Sequence, residues 1–148
     1  MALAMAMPQV TLVLAAACAL LNLWLSFRVG AVRRAEKVFV GDGGNERVIR
    51  RMRAHANFTE NAWLVVALVL AIELAVGSSV WLWAAAALFV LGRIGHGLGM
   101  DGWNPGRSGG TGITMAVQLA LAIWAITIPL TAHRSLGAPA IDVTVPRG

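Results

Sequence analysis

Long apolar runs separated by short polar clusters set the pattern of this chain. Residues 1–27 carry no charged side chain, and neither do residues 61–72, 74–92 or 108–132. A helix needs about 20 apolar residues to cross the hydrocarbon core of a bilayer. The pattern therefore predicts four membrane-spanning helices, at about 8–35, 46–76, 80–100 and 112–132, in one domain covering residues 1–148. Pro8 suits a first helical position, because its missing N–H is one of the unpaired donors of a first turn. "GDGGN" at 41–45 reads as a loop and "GSS" at 77–79 as a very short turn. The second and third helices would then form an antiparallel hairpin. "DGWNPGRSGGTG" at 101–112 breaks the chain, and the ending "RSLGAPAIDVTVPRG" reads as irregular. The second helix is longer than a crossing requires, so its first three turns must stand in the headgroup or cytoplasmic layer.

Composition agrees with this pattern. The chain is 58% hydrophobic and 13% charged, whereas soluble domains carry about a quarter charged residues. The expected class is all-α, an integral membrane four-helix bundle. A cleaved signal peptide is the weaker reading of the first run, since the first charge, Arg28, follows the apolar stretch instead of preceding it. Cys18 is the only cysteine. It reads as a small packed residue.

Eight of the twelve Lys and Arg residues lie between Arg28 and Arg53, while Arg93 and Arg107 flank the third connection. The positive-inside rule places both of these connections in the cytoplasm and both termini outside. A multi-pass protein of an inner or plasma membrane is expected, with lipids as its surroundings. The net charge of +5 is thereby a topology signal, and nucleic acid is a poor explanation for it.

One stretch resists the simple picture. "RMRAHANFTENAW", 51–63, sets Arg53, Asn57 and Glu60 at the mouth of an apolar run, and Arg50 extends the series upstream. Spacings of three, four and three residues put these four on one helix face. Snorkelling to phosphates explains Arg47 and Arg51. It explains Glu60 poorly, because that carboxylate lies deeper and would be costly unpaired in lipid. On the third helix, Arg93 and His96 share a face that continues to Met100, at matching depth, which suggests a polar cavity between helices. Gly92, Gly95, Gly97 and Gly99 would let a neighbouring helix approach closely. "GLGMDG" at 97–102 fits G-x-G-x-x-G but lacks the preceding strand that a dinucleotide fingerprint needs. His55, His96 and His133 lack metal-ligand spacing, so no metal site is expected.

"ERVIRRMRAHANFTENAWL" resembles the signature of the MAPEG family, the membrane-associated proteins of eicosanoid and glutathione metabolism. "RAHANFTE" matches its R-A-x-x-N-x-x-E pattern at Arg53, Ala54, Asn57 and Glu60. "LGRIGHGLGM" is similar to the family's third-helix segment and "VRRAEK" to the end of its first. The resemblance, of bacterial type, implies a homotrimer with glutathione held between neighbouring subunits near the cytoplasmic face. It implies that Arg53, Asn57 and Glu60 contact glutathione, with Arg33, Arg50, Arg93 and His96 as further candidates. It also implies that Arg107, followed by Ser108, holds the thiolate for attack on an apolar electrophile arriving through the bilayer. Two departures stand out. Asn61 and Met100 occupy positions where several members carry tyrosine, and the chain has no tyrosine at all.

The expected function is a glutathione transferase or a peroxidase-like enzyme. The alternative is a non-catalytic protein of the same fold that binds a lipid headgroup or a small anion. A channel would want ionisable residues near mid-membrane in several helices. Glu73 is the one candidate, and helix packing explains it better.

Overall fold

A computed structural model describes residues 7–135, with side chains described through residue 131. The side chain of His133 and the irregular ending expected after it lie outside the described residues. Four helices make up the described chain: α1 (Gln9–Glu36), α2 (Glu46–Val76), α3 (Val80–Gly99) and α4 (Asn104–Ser135). All four are long and apolar enough to cross a membrane. The chain is an all-α, four-helix membrane bundle. At 31 residues, α2 extends about 46 Å at 1.5 Å per residue. This exceeds a hydrocarbon core of about 30 Å, so its N-terminal turns project beyond it.

Side chains at the element ends explain where the helices begin. Asn45 caps α2, its Oδ1 accepting from the backbone N–H of Arg47 at 3.0 Å and of Val48 at 3.3 Å. Its Nδ2 donates to Glu36 at 3.0 Å, fastening the end of α1 to the start of α2. Ser79 caps α3 through Leu82 N–H. The N-terminus of α1 is capped from another helix. Glu73, near the end of α2, accepts from Val10 N–H and Thr11 N–H at 2.8 Å, from the Thr11 hydroxyl at 2.7 Å and from the Ser78 hydroxyl at 2.5 Å. Glu73 is thus a cap that satisfies two of the orphan donors of a first turn.

The fourth helix starts at Asn104, eight residues before the expected 112, because "NPGRSGG" is helical. Pro105 sits in the first turn, where a missing N–H costs nothing. The glycines that follow would be poor helix formers alone, yet here they press against α3. A Cβ on Gly99 would collide with the backbone of Gly106 and Arg107, and one on Gly110 with the Gly92 carbonyl and the His96 backbone. Backbone-to-backbone contact of this kind is how membrane helices gain packing without a hydrophobic driving force. The break between the helices is only Met100–Trp103.

α1 packs chiefly on α2 and α3 chiefly on α4, so the bundle is two hairpins laid together. Val10, Leu14, Leu25, Val65, Val69, Ile72, Leu82 and Phe89 form the core between them. Leu20, Leu23, Trp81, Leu91, Leu119 and Ile126 point outward. In water that surface would be an aggregation liability. In a bilayer it is the face that lipid or another apolar surface covers. At the basic end, Asp101 in the α3–α4 turn pairs with Arg28 of α1 and Arg51 of α2, and Arg28 also donates to the Gly97 carbonyl at 2.7 Å.

Candidate functional site

The polar stripe of α2 faces α3 across a cleft of about 240 Å³ lined by Arg53, Ala56, Asn57, Glu60, His96 and Met100. Helical spacing places the α2 members, and the glycine contact between α3 and α4 sets the far wall. Larger grooves of about 350 and 420 Å³ run along the apolar surface, lined by alanines, tryptophans and aliphatic side chains. Their lining side chains are apolar, whereas the smaller cleft is lined largely by polar ones.

Arg93 stands behind the cleft, 1% exposed. Its Nη1 donates to Asn57 Oδ1 at 3.0 Å and to Thr114 Oγ1 at 3.3 Å, and its guanidinium lies 5.8 Å from the Phe58 ring. A guanidinium only donates. The Asn57 oxygen must therefore face Arg93, which leaves its Nδ2 to serve the cleft. The Asn57 backbone carbonyl accepts from Asn61 Nδ2 at 2.7 Å.

His96 is 5% exposed and closes the cleft from α3. Its Nδ1 lies 3.1 Å from the Arg107 carbonyl and 3.1 Å from the Thr111 hydroxyl. That hydroxyl itself donates to the same carbonyl at 3.0 Å. The Arg107 backbone is thereby tied to α3 through His96.

The other basic side chains of the region are occupied. Arg47 pairs with Glu36, Arg50 with Glu46, and Arg28 and Arg51 with Asp101. Among the described residues, neither Arg53 nor Glu60 forms an ion pair. They stand seven residues apart, about 10.5 Å along the helix axis at 1.5 Å per residue.

The structure brings Arg53, Asn57, Glu60 and His96 together and sets Arg93 behind them. Others of the sequence-predicted set lie elsewhere. Arg50 belongs to a separate groove with Glu46, Arg47, Arg51 and Asp101. Arg33 donates to the Phe39 carbonyl at 3.1 Å and to the Met52 sulfur at 3.3 Å. Arg107 and Ser108 are exposed in the first turn of α4. Arg107 reaches the cleft residues through its carbonyl, and the Ser108 hydroxyl donates to the Asn104 carbonyl at 3.0 Å. Sequence reasoning missed Asp101, Thr111 and Thr114. An acid beside so many arginines was a readable signal for Asp101; Thr111 lay just before the expected start of α4, and Thr114, inside it, gave no signal in an otherwise charge-free run.

The sequence model of the MAPEG family matches residues 11–127. The chain belongs to the MAPEG family. That span takes in all of α2 and α3 and most of α1 and α4, and with them every cleft residue. No curated protein and no solved structure matches the chain. As a MAPEG protein with four apolar spans, it is an integral multi-pass membrane protein of a family that generally uses glutathione.

Proposed function

We propose that this MAPEG protein is a glutathione-dependent transferase or peroxidase-like enzyme, acting on an apolar electrophile drawn from the bilayer. The observation that carries the reading is the unpaired Arg53 and Glu60 sharing one cleft with Asn57 and His96. A tripeptide extends to about 10 Å at 3.3–3.6 Å per residue, which matches the rise along α2 between the two residues that carry the charges. Arg53 suits a carboxylate of glutathione through bidentate, charge-assisted hydrogen bonds. Glu60 suits its ammonium. Asn57, with Nδ2 turned to the cleft, suits a peptide carbonyl. Glutathione supplies a nucleophilic sulfur, and a cation beside that sulfur favours the thiolate. Arg107 is the residue we assign to this task, with Ser108 next to it.

The assembly is a homotrimer in this reading, with both termini outside and the basic end cytoplasmic. Small-molecule pockets usually hold about 300–1,000 Å³, and the cleft of one protomer is smaller and open. The shortfall supports a site completed by a neighbouring protomer, whose Arg107 or Arg33 could then meet the ligand from the far side.

The test is a glutathione titration of the detergent-purified protein, with Arg53→Ala and Glu60→Ala beside it. Each variant loses a hydrogen bond to a charged group worth about 1.5–3 kcal/mol, or roughly ten- to a hundredfold in affinity. Oligomer size stays unchanged. Binding of glutathione by neither the parent nor the variants, in an intact oligomer, would overturn the enzyme reading and favour a lipid-headgroup or anion-binding protein of the same fold.

A further inference from the structure

We infer that His96 takes the thiol proton when glutathione occupies the cleft, so that the thiolate forms by transfer inside the site instead of by release to water. The inference rests on the glutathione reading above and assigns a base that reading leaves open.

The tautomer of His96 follows from its partners. The Arg107 carbonyl, 3.1 Å from Nδ1, can only accept, so Nδ1 carries a proton. The Thr111 hydroxyl spends its hydrogen on the same carbonyl and turns an oxygen lone pair toward Nδ1. In the neutral ring the free lone pair is then at Nε2. That atom is buried and has no hydrogen-bond partner among the described residues. Buried polar atoms are nearly always paired, and an exception asks for an explanation. This one belongs to a side chain that lines the cleft.

Charged groups face His96 from each helix packed around it. Arg93 precedes His96 by one turn on α3, Arg107 holds it from α4, and Arg53 and Glu60 face it across the cleft from α2. From α1, Arg28 is engaged by the Gly97 carbonyl and Asp101. A bound tripeptide adds two carboxylates and an ammonium to this set, which lowers its surplus of positive charge by one. In the transfer the S–H bond breaks with its electron pair left on sulfur, and an N–H bond forms at Nε2. The other proton stays on Nδ1, which goes on donating it to the Arg107 carbonyl. The net charge of the occupied cleft does not change, and the new imidazolium stands beside the new thiolate.

The experiment measures protons and thiolate together. Full-length protein in detergent is mixed with saturating glutathione in weakly buffered solution containing a pH indicator, and thiolate absorbance is followed in the ultraviolet. S-methylglutathione corrects for protons moved by groups other than the thiol. The expected result is thiolate with almost no proton released. His96→Asn keeps an amide donor for the Arg107 carbonyl and removes Nε2; it is expected to form thiolate only with about one proton released for each. Stoichiometric release by the parent protein, or a His96→Asn variant indistinguishable from it, overturns the proposal. So does binding of both ligands without any thiolate. Binding of neither ligand overturns the glutathione reading itself. Should His96→Asn not fold, the proton yield of the parent protein decides alone.

Discussion

Removing the Glu73 carboxylate tests whether one buried side chain fixes the N-terminal end of the bundle. In Glu73→Ala the N–H groups of Val10 and Thr11 lose their 2.8 Å acceptors, and two hydroxyls lose theirs. Val10 is 0% and Thr11 7% exposed, so water has little access to replace them. An orphaned buried donor costs about 1–3 kcal/mol, while helix caps removed in more open settings cost about 0.5–2. Two buried N–H groups therefore predict a loss of about 2–4 kcal/mol, roughly thirty- to several-hundredfold in the folding equilibrium. The assay is unfolding by a denaturing detergent, followed by fluorescence of the six tryptophans. Glu73→Gln, which keeps one oxygen but turns an NH₂ toward other donors, should fall between. Glutathione affinity should not move, since Glu73 lies about 20 Å along α2 from Glu60 at 1.5 Å per residue. A Glu73→Ala variant within about 0.5 kcal/mol of the parent, the range of ordinary surface changes, would refute the capping argument.

Four further outcomes follow from particular contacts. Gly110→Val should abolish folded protein in size-exclusion chromatography, because any Cβ there meets the Gly92 carbonyl and the His96 backbone. The neighbouring Gly109 faces open space, so Gly109→Ala should be neutral or stabilise by up to about 1 kcal/mol from helix propensity, seen in the same unfolding titration. Asn45→Ala removes the α2 cap and the tie to Glu36 and should cost about 1 kcal/mol. Asn57→Asp keeps an oxygen for Arg93 but deletes the cleft-facing donor. It should retain its fold and lose roughly fivefold in glutathione affinity, as one hydrogen bond is worth about 1 kcal/mol; unchanged affinity in calorimetry would count against the assigned orientation of the amide.

Charge-free runs made the four spans legible, since nothing but a bilayer or a large core tolerates them. The α2 stripe was legible from helical spacing as well, because Arg53, Asn57 and Glu60 occupy one face whatever surrounds them. Spacing could not say how far the stripe reached. Arg50 shares the face, yet Glu46, one turn away, draws it into a different groove. The first turns of α4 were hidden because proline and glycine usually end helices. Here tertiary packing against Gly92 and Gly99 overrides that propensity, and it is also what brings Thr111 and the Arg107 carbonyl to His96. Glu73 was visible as an anomaly but not as a cap, because its partners lie more than sixty residues earlier in the chain.

The two-hairpin construction ties ligand occupancy to the cohesion of the whole bundle. Arg53, Asn57 and Glu60 ride on one hairpin and His96 and Met100 on the other, so any molecule held by both walls is also a clasp between them. A ligand that binds only the closed arrangement stabilises it by mass action, by about 2.7 kcal/mol at a hundred times its dissociation constant. The same linkage runs backward. A substitution that loosens the seam, at Arg28, Arg51 or Asp101 for instance, weakens binding without touching the ligand, and added ligand restores the lost stability in proportion to its concentration.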